Sequence, residues 1–75
     1  MQHEIRIYRD LSNDVYVARH SDSAVRELFG TDTLPTPFRA AADQAEVLTA
    51  IRKLNPDCRV TWNGGYNILA METGR

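Results

Sequence analysis

The chain has 75 residues and a formal net charge of −1, so it provides one small domain and has no room for a second. Leu, Ile, Val and Phe account for 17 of the 75 residues, which is above the level typical of disordered chains. The composition excludes a collagen, a disulfide scaffold and a strongly basic nucleic-acid-binding protein. We therefore expect a single α+β domain over residues 1–75.

The compartment follows from the cysteine count and the distribution of apolar residues. Cys58 is the only cysteine, whereas a secreted domain of this size normally carries several. The N-terminal residues alternate in polarity and lack the apolar stretch of a signal peptide. No run approaches the ~20 apolar residues that span a membrane. These features predict a cytoplasmic protein that has no membrane association.

Two strands are expected at the start of the chain. Residues 4–9 and residues 15–19 both alternate apolar and polar side chains, which is typical of half-buried strands. A polar turn separates them and favours a hairpin. Pairing Tyr8 with Tyr16 would place the aliphatic side chains on one face and the two tyrosines on the other.

A short helix is predicted over residues 24–29. Good N-cap residues precede it at positions 21–23, and Gly30 can end it in the left-handed conformation. Val25, Leu28 and Phe29 lie on one face of this helix. Because two turns are too few for an isolated helix, we expect packing against the sheet to hold it.

Residues 31–38 read TDTLPTPF and predict a stiff connector. Pro35 and Pro37 each remove a backbone donor and favour extended geometry in the preceding residue. Whether residues 38–42 are helical or extended stays open, since Thr36 can also cap a helix that has Pro37 at its first position.

The second helix is the best-defined element. Asp43 and Glu46 have the spacing of a capping box, and Asn55-Pro56 ends the helix. An apolar stripe runs along one face and consists of Val47, Leu48, Ile51 and Leu54.

The last segment is predicted to be a hairpin. Residues 58–62 alternate in polarity, Asn63-Gly64-Gly65 is a strong turn signal, and residues 66–71 return as a strand. A three-residue loop would pair Trp62 with Tyr66. The whole chain is then a two-layer α+β domain in the order β-β-α-α-β-β, with an antiparallel sheet covered by helices on one face.

The residues capable of catalysis are few and badly spaced. His20, Ser21 and Asp22 are consecutive, so they cannot align as nucleophile, base and orienting acid. His3, His20 and Cys58 lack the spacing of a metal site. The sequence therefore predicts no enzyme, no cofactor and no metal.

An interaction role is the main functional expectation. The predicted register leaves an apolar outer face, which in a small protein marks a contact surface. We expect a two-fold homodimer or a protein partner there, through Tyr8, Tyr16, Leu69 and Met71, with Trp62 and Tyr66 at one rim. Such a module is compatible with a small inhibitor encoded on a mobile element.

The alternative is a weak binder of single-stranded nucleic acid. Arg6, Arg19 and Arg59, together with Tyr8 and Tyr16, can form a basic and aromatic sheet face that stacks unpaired bases. Nucleic acid is the less favoured partner because acidic residues interleave with these arginines, namely Glu4, Asp10 and Asp14.

Overall fold

Six elements follow one another along the chain in the computed structural model, which describes residues 3–68. They are β1 (His3–Asp10), β2 (Val15–His20), α1 (Ser23–Phe29), β3 (Thr33–Arg39), α2 (Gln44–Leu54) and β4 (Cys58–Asn67). The strands form one sheet in the order β3-β2-β1-β4. The small α+β class is confirmed, but the element order is β-β-α-β-α-β and not the predicted β-β-α-α-β-β.

The first hairpin is confirmed, and its register differs from the expected one by one residue. Tyr8 pairs with Val17, and Arg9 pairs with Tyr16. The reason is the turn. In it the Asp10 carboxylate accepts the backbone N–H groups of Ser12 and Asn13, and Asp14 adopts a positive φ of 56°. This turn contains four residues, whereas the predicted Tyr8–Tyr16 pairing requires three. A shift of one residue turns every side chain of β2 to the other face.

The strand β3 occupies the segment predicted to be a connector. Residues 33–39 pair antiparallel with β2, so the first part of the uncertain stretch 38–42 is extended. Pro35 and Pro37 are compatible with a strand here because β3 lies at the edge of the sheet, where the missing N–H groups face away from β2. The Thr36 hydroxyl donates to the Tyr16 carbonyl at 2.7 Å and fastens the two strands together.

The strand β4 replaces the predicted C-terminal hairpin. It runs unbroken through Gly64 and Gly65 and pairs parallel with β1. Opposite the step from Ile7 to Arg9, β4 advances from Trp62 to Asn67, so three extra residues bulge out of the ladder. Glycines in a strand mark such irregularities as well as turns. The sheet is therefore mixed, and the prediction of an antiparallel sheet is wrong.

The indole of Trp62 explains the glycine at position 64. A Cβ atom built on Gly64 would lie 2.3 Å from Cζ2 of the indole, whereas a Cβ on Gly65 would meet nothing within 4 Å. Trp62 therefore folds back over the Gly64 backbone, and the bulge is held by packing.

The helix α1 ends where the sequence predicts, at Phe29, and begins one residue earlier than predicted, at Ser23. The Asp22 carboxylate accepts the N–H of Ala24, and Gly30 ends the helix at a φ of 76°. The expectation that packing holds it is wrong, because none of its seven residues is buried. Leu28 and Phe29 are 79% and 62% exposed and Val25 is half-buried, so the helix has its two caps and little packing to hold it.

The helix α2 covers one face of the sheet. Its Asp43 cap accepts the N–H of Glu46, as the capping box predicts. Val47 and Ile51 are buried against the strands, while Leu54 at the end of the stripe is exposed.

The main core consists of Ile5, Ile7, Tyr16, Ala18, Val47, Ile51 and Val60, with Trp62 and Cys58 packed against it. A smaller cluster of Tyr8, Val17 and Ile68 lies on the other face.

We expect Gly64→Ala to destabilise the fold by about 1–3 kcal/mol, since the new methyl group forces the Trp62 indole out of its position. Gly65→Ala is the matched control, because its methyl group meets open space. Urea unfolding followed by Trp62 fluorescence measures both. Equal losses for the two variants would contradict this account of the bulge.

Candidate interaction surface

The two edges of the sheet differ in the backbone groups that they present. At the β3 edge, the Asp32 carbonyl accepts the His20 N–H at 2.7 Å, so Asp32 is directed towards β2. Successive residues of a strand direct their backbone groups to opposite sides. The residues of β3 whose backbone groups point away from the sheet are therefore Thr33, Pro35 and Pro37, followed by Arg39 at the end of the strand, because the next residue, Ala40, donates to Asp14 on the β2 side.

Thr33, Pro35 and Pro37 close the β3 edge to further pairing along all but its last residue, Arg39. The Thr33 N–H donates to the Thr31 hydroxyl at 3.1 Å, and the two prolines have no N–H group. An added strand would therefore find no free donor at these positions. Proline on an edge strand is one of the devices by which natural proteins prevent edge-to-edge association.

The hydrogen bonds of β1 identify the β4 residues whose backbone groups point away from the sheet. Both backbone groups of Glu4 bond to Ser21, on the β2 side, so the backbone groups of Ile5 are directed towards β4. Val60 is the Cα partner of Ile5 in the parallel ladder. Ile5 then bonds to the two neighbours of Val60, and Val60 itself is directed outward.

The edge of β4 keeps donors that the edge of β3 lacks. Two outward groups have partners from the α2 side, since Cys58 donates to the Asn55 carbonyl and the Val60 carbonyl accepts from Arg52 at 3.5 Å. Within residues 3–68 the outward N–H groups of Val60 and Trp62 have no acceptor. Backbone donors in a row form a template for another strand.

A groove lies between this edge and the end of α2. It has a volume of about 630 Å³ and is lined by Arg52, Asn55, Pro56 and residues 58–62. Trp62 and Cys58 contribute half-buried apolar surface, and Arg52 contributes a positive charge. An extended chain paired with β4 has room in this groove for the side chains that it directs towards α2.

The sheet face opposite α2 carries three arginines. Arg6 and Arg19 are direct cross-strand partners, and Arg59 pairs with Glu4, two residues before Arg6. Partners across a ladder share a face, so all three side chains lie together, as proposed for the basic face, and all three are exposed. The hydrogen bond to Glu4 and, secondarily, the Tyr8 hydroxyl raise the pKa of Arg6.

His20 lies at the end of β2 beside this face. Partial burial lowers the pKa of its imidazole below the ordinary value of 6.5, although the carboxylates of Asp22 and Asp32 act in the opposite direction. The neutral imidazole is therefore the form that the fold favours.

The predicted contact residues that the structure describes do not form one surface. Tyr8 and Tyr16 are 2% and 1% exposed and lie on opposite faces because of the register shift, so the expected apolar outer face built on them is wrong. Trp62 is half-buried and Tyr66 is 61% exposed, both on β4. Leu69 and Met71 lie outside the described residues.

The groove between α2 and β4 is not predicted by the sequence pattern. A C-terminal hairpin leaves α2 as a simple cover of the sheet, although a helix between two strands is also the usual connection of parallel strands. Asn55 and Pro56, which end the helix, also line this groove. A single strand over residues 58–67 is the signal that would indicate a parallel strand at the edge of the sheet.

Comparisons with protein-family models, with curated proteins and with solved structures find no match. In residues 3–68, no helix combines the length and the apolar character needed to cross a bilayer.

We expect the free energy of unfolding to fall as the pH drops from 7.5 to 5.5. The unfolded chain binds a proton at His20 near pH 6.5, while the lowered pKa in the folded chain delays that protonation, so acid favours unfolding. His20→Gln removes this part of the pH dependence, and His3→Gln at the exposed start of β1 keeps it. Urea titrations at each pH test this; an unchanged slope in His20→Gln would contradict it.

Proposed function

We propose that the protein is a non-enzymatic interaction module that self-associates by pairing its β4 edge with the β4 edge of a second copy. The difference between the two sheet edges is the observation that supports this. Thr33, Pro35 and Pro37 close most of one edge, while on the other the N–H groups of Val60 and Trp62 have no acceptor among residues 3–68. A monomer that protected itself from edge pairing would protect both edges.

The alternation of apolar and polar side chains along β4 favours pairing with a second copy of the chain over pairing with an unrelated strand. Cys58, Val60 and Trp62 are directed to the α2 face, and Arg59 and Thr61 to the other face. This order reads the same in both directions. Antiparallel pairing about a two-fold axis therefore places apolar side chains beside apolar ones and polar beside polar, as an isologous interface requires.

Pairing of this kind extends the sheet across the axis. Two four-stranded sheets join through β4, and the two α2 helices lie on the same side of the joined sheet. The groove between α2 and β4 receives side chains from the partner strand. A chain of this size buries only ~60% of its unfolded surface, so added burial at the edge stabilises it.

We expect sedimentation equilibrium at micromolar concentrations to give twice the monomer mass of 8.5 kDa. Tyr66→Asp weakens the dimer by about tenfold or more, which corresponds to ~1.4 kcal/mol, because Tyr66 is an exposed residue of β4 itself and the substitution places a charge beside the partner chain. Tyr66 is 61% exposed, so the monomer tolerates the substitution.

Phe29→Asp is the matched control, since Phe29 is an equally exposed aromatic residue on α1. It leaves the dimer unchanged if β4 forms the interface. A parent chain that stays monomeric removes the proposal. A dimer weakened by Phe29→Asp and unaffected by Tyr66→Asp would assign the interface to α1.

A further inference from the structure

The direct pairing of Arg6 with Arg19 is an unusual feature of the sheet face opposite α2. The two residues are Cα partners in the β1–β2 ladder, and like charges in this position repel each other. Arg59 lies on the same face on β4. Three positive charges therefore form a row across three adjacent strands of a chain whose net charge is −1.

The neighbouring carboxylates balance this charge only in part. Arg6 gives Glu4 one hydrogen bond, from its Nε atom. Arg19 approaches Asp32 at 3.8 Å, which is too long for a hydrogen bond. Neither pair is the two-bond fork that a guanidinium forms with an optimally placed oxyanion, so each arginine keeps donors for another anion.

A polar cleft lies at the paired arginines. Its volume is about 380 Å³, and its walls are Glu4, Arg6, Arg19, His20, Ser21 and Asp32. The Ser21 hydroxyl accepts the Glu4 N–H at 2.8 Å, and its own hydrogen remains available to an oxyanion in the cleft. The cleft thus brings two guanidinium groups and a hydroxyl donor to one place.

We propose that this cleft and the adjoining Arg59 bind consecutive phosphate groups of an extended polyanion. The planar guanidinium matches phosphate oxygens in pairs, and a row of arginines suits a chain of phosphates better than a single ion. The lining of the cleft contains no Tyr, Phe or Trp side chain, and Tyr8 beside it is buried, so bases have no such ring in the cleft on which to stack. Binding therefore depends on the phosphates and not on base sequence.

Single-stranded nucleic acid and inorganic polyphosphate share this chemistry. The cleft itself is built mainly by residues of β1, β2 and the segments next to them, and only Arg59 comes from β4, so binding at the cleft does not require the proposed dimer. Arg6→Gln and Arg19→Gln are accordingly the test variants. Arg26→Gln is the matched control, because Arg26 is an exposed arginine on α1 outside the cleft.

The experiment is fluorescence anisotropy of a labelled oligothymidylate, with inorganic tripolyphosphate as competitor and, in isothermal titration calorimetry, as a direct ligand; circular dichroism confirms that each variant is folded. We expect the logarithm of the binding constant to fall with the logarithm of salt concentration with a slope of about −2, since each phosphate contact with a single strand contributes ~0.7. Each test variant lowers affinity at least fivefold and reduces the slope by about 0.7, and Arg26→Gln changes neither.

Displacement of the oligothymidylate by tripolyphosphate supports recognition of phosphate alone. Binding of tripolyphosphate without binding of the oligothymidylate supports the site and assigns polyphosphate as its ligand. Absence of binding to both probes at low salt overturns the proposal. Equal losses in Arg26→Gln and the two test variants, or an oligothymidylate that tripolyphosphate cannot displace, overturn it as well.

Discussion

The parallel pairing of β1 with β4 is the constraint on which the rest of the structure depends. Ile5 and Ile7 lie opposite Val60 and Trp62, and because parallel neighbours need a long crossover, α2 must pass over the sheet on its way to β4. That crossover supplies the helix that covers the core. It also makes β1 an interior strand and leaves β4 at an edge, with its outward N–H groups free of the ladder.

The two edges and two faces that result have different chemistry. One face is covered by α2, and the other carries the arginine row at the end of the sheet where β1 begins. The β3 edge is closed by its prolines, and the β4 edge is open beside a groove. A two-fold pair through β4 would make the faces of two copies continuous, and the arginines of both copies would then share one surface.

Local signals predicted most of the elements, and long-range packing decided what local signals could not. The caps at Asp22 and Asp43 depend on neighbouring residues, so both helix starts were readable from the sequence. The segment Asn63–Gly65 is a turn signal only if the chain reverses there; in the fold it forms a bulge instead, with the Trp62 indole packed over Gly64, and the chain continues as β4. The β1–β2 register depended on a turn of four residues and not three, which polarity alternation does not distinguish. The alternation of residues in the sequence was enough to predict that the arginines share a face of the sheet. Identifying β4 as an open edge required the order of the strands in the sheet.

Amide hydrogen exchange at several protein concentrations tests the central claim most directly. The outward N–H groups of Val60 and Trp62 should exchange slowly at concentrations where the dimer forms and quickly after dilution to monomer. The Thr61 N–H, which faces β1, should be protected at both concentrations and serves as the internal control. Rapid exchange of Val60 and Trp62 at every concentration, with Thr61 protected, would contradict edge pairing through β4.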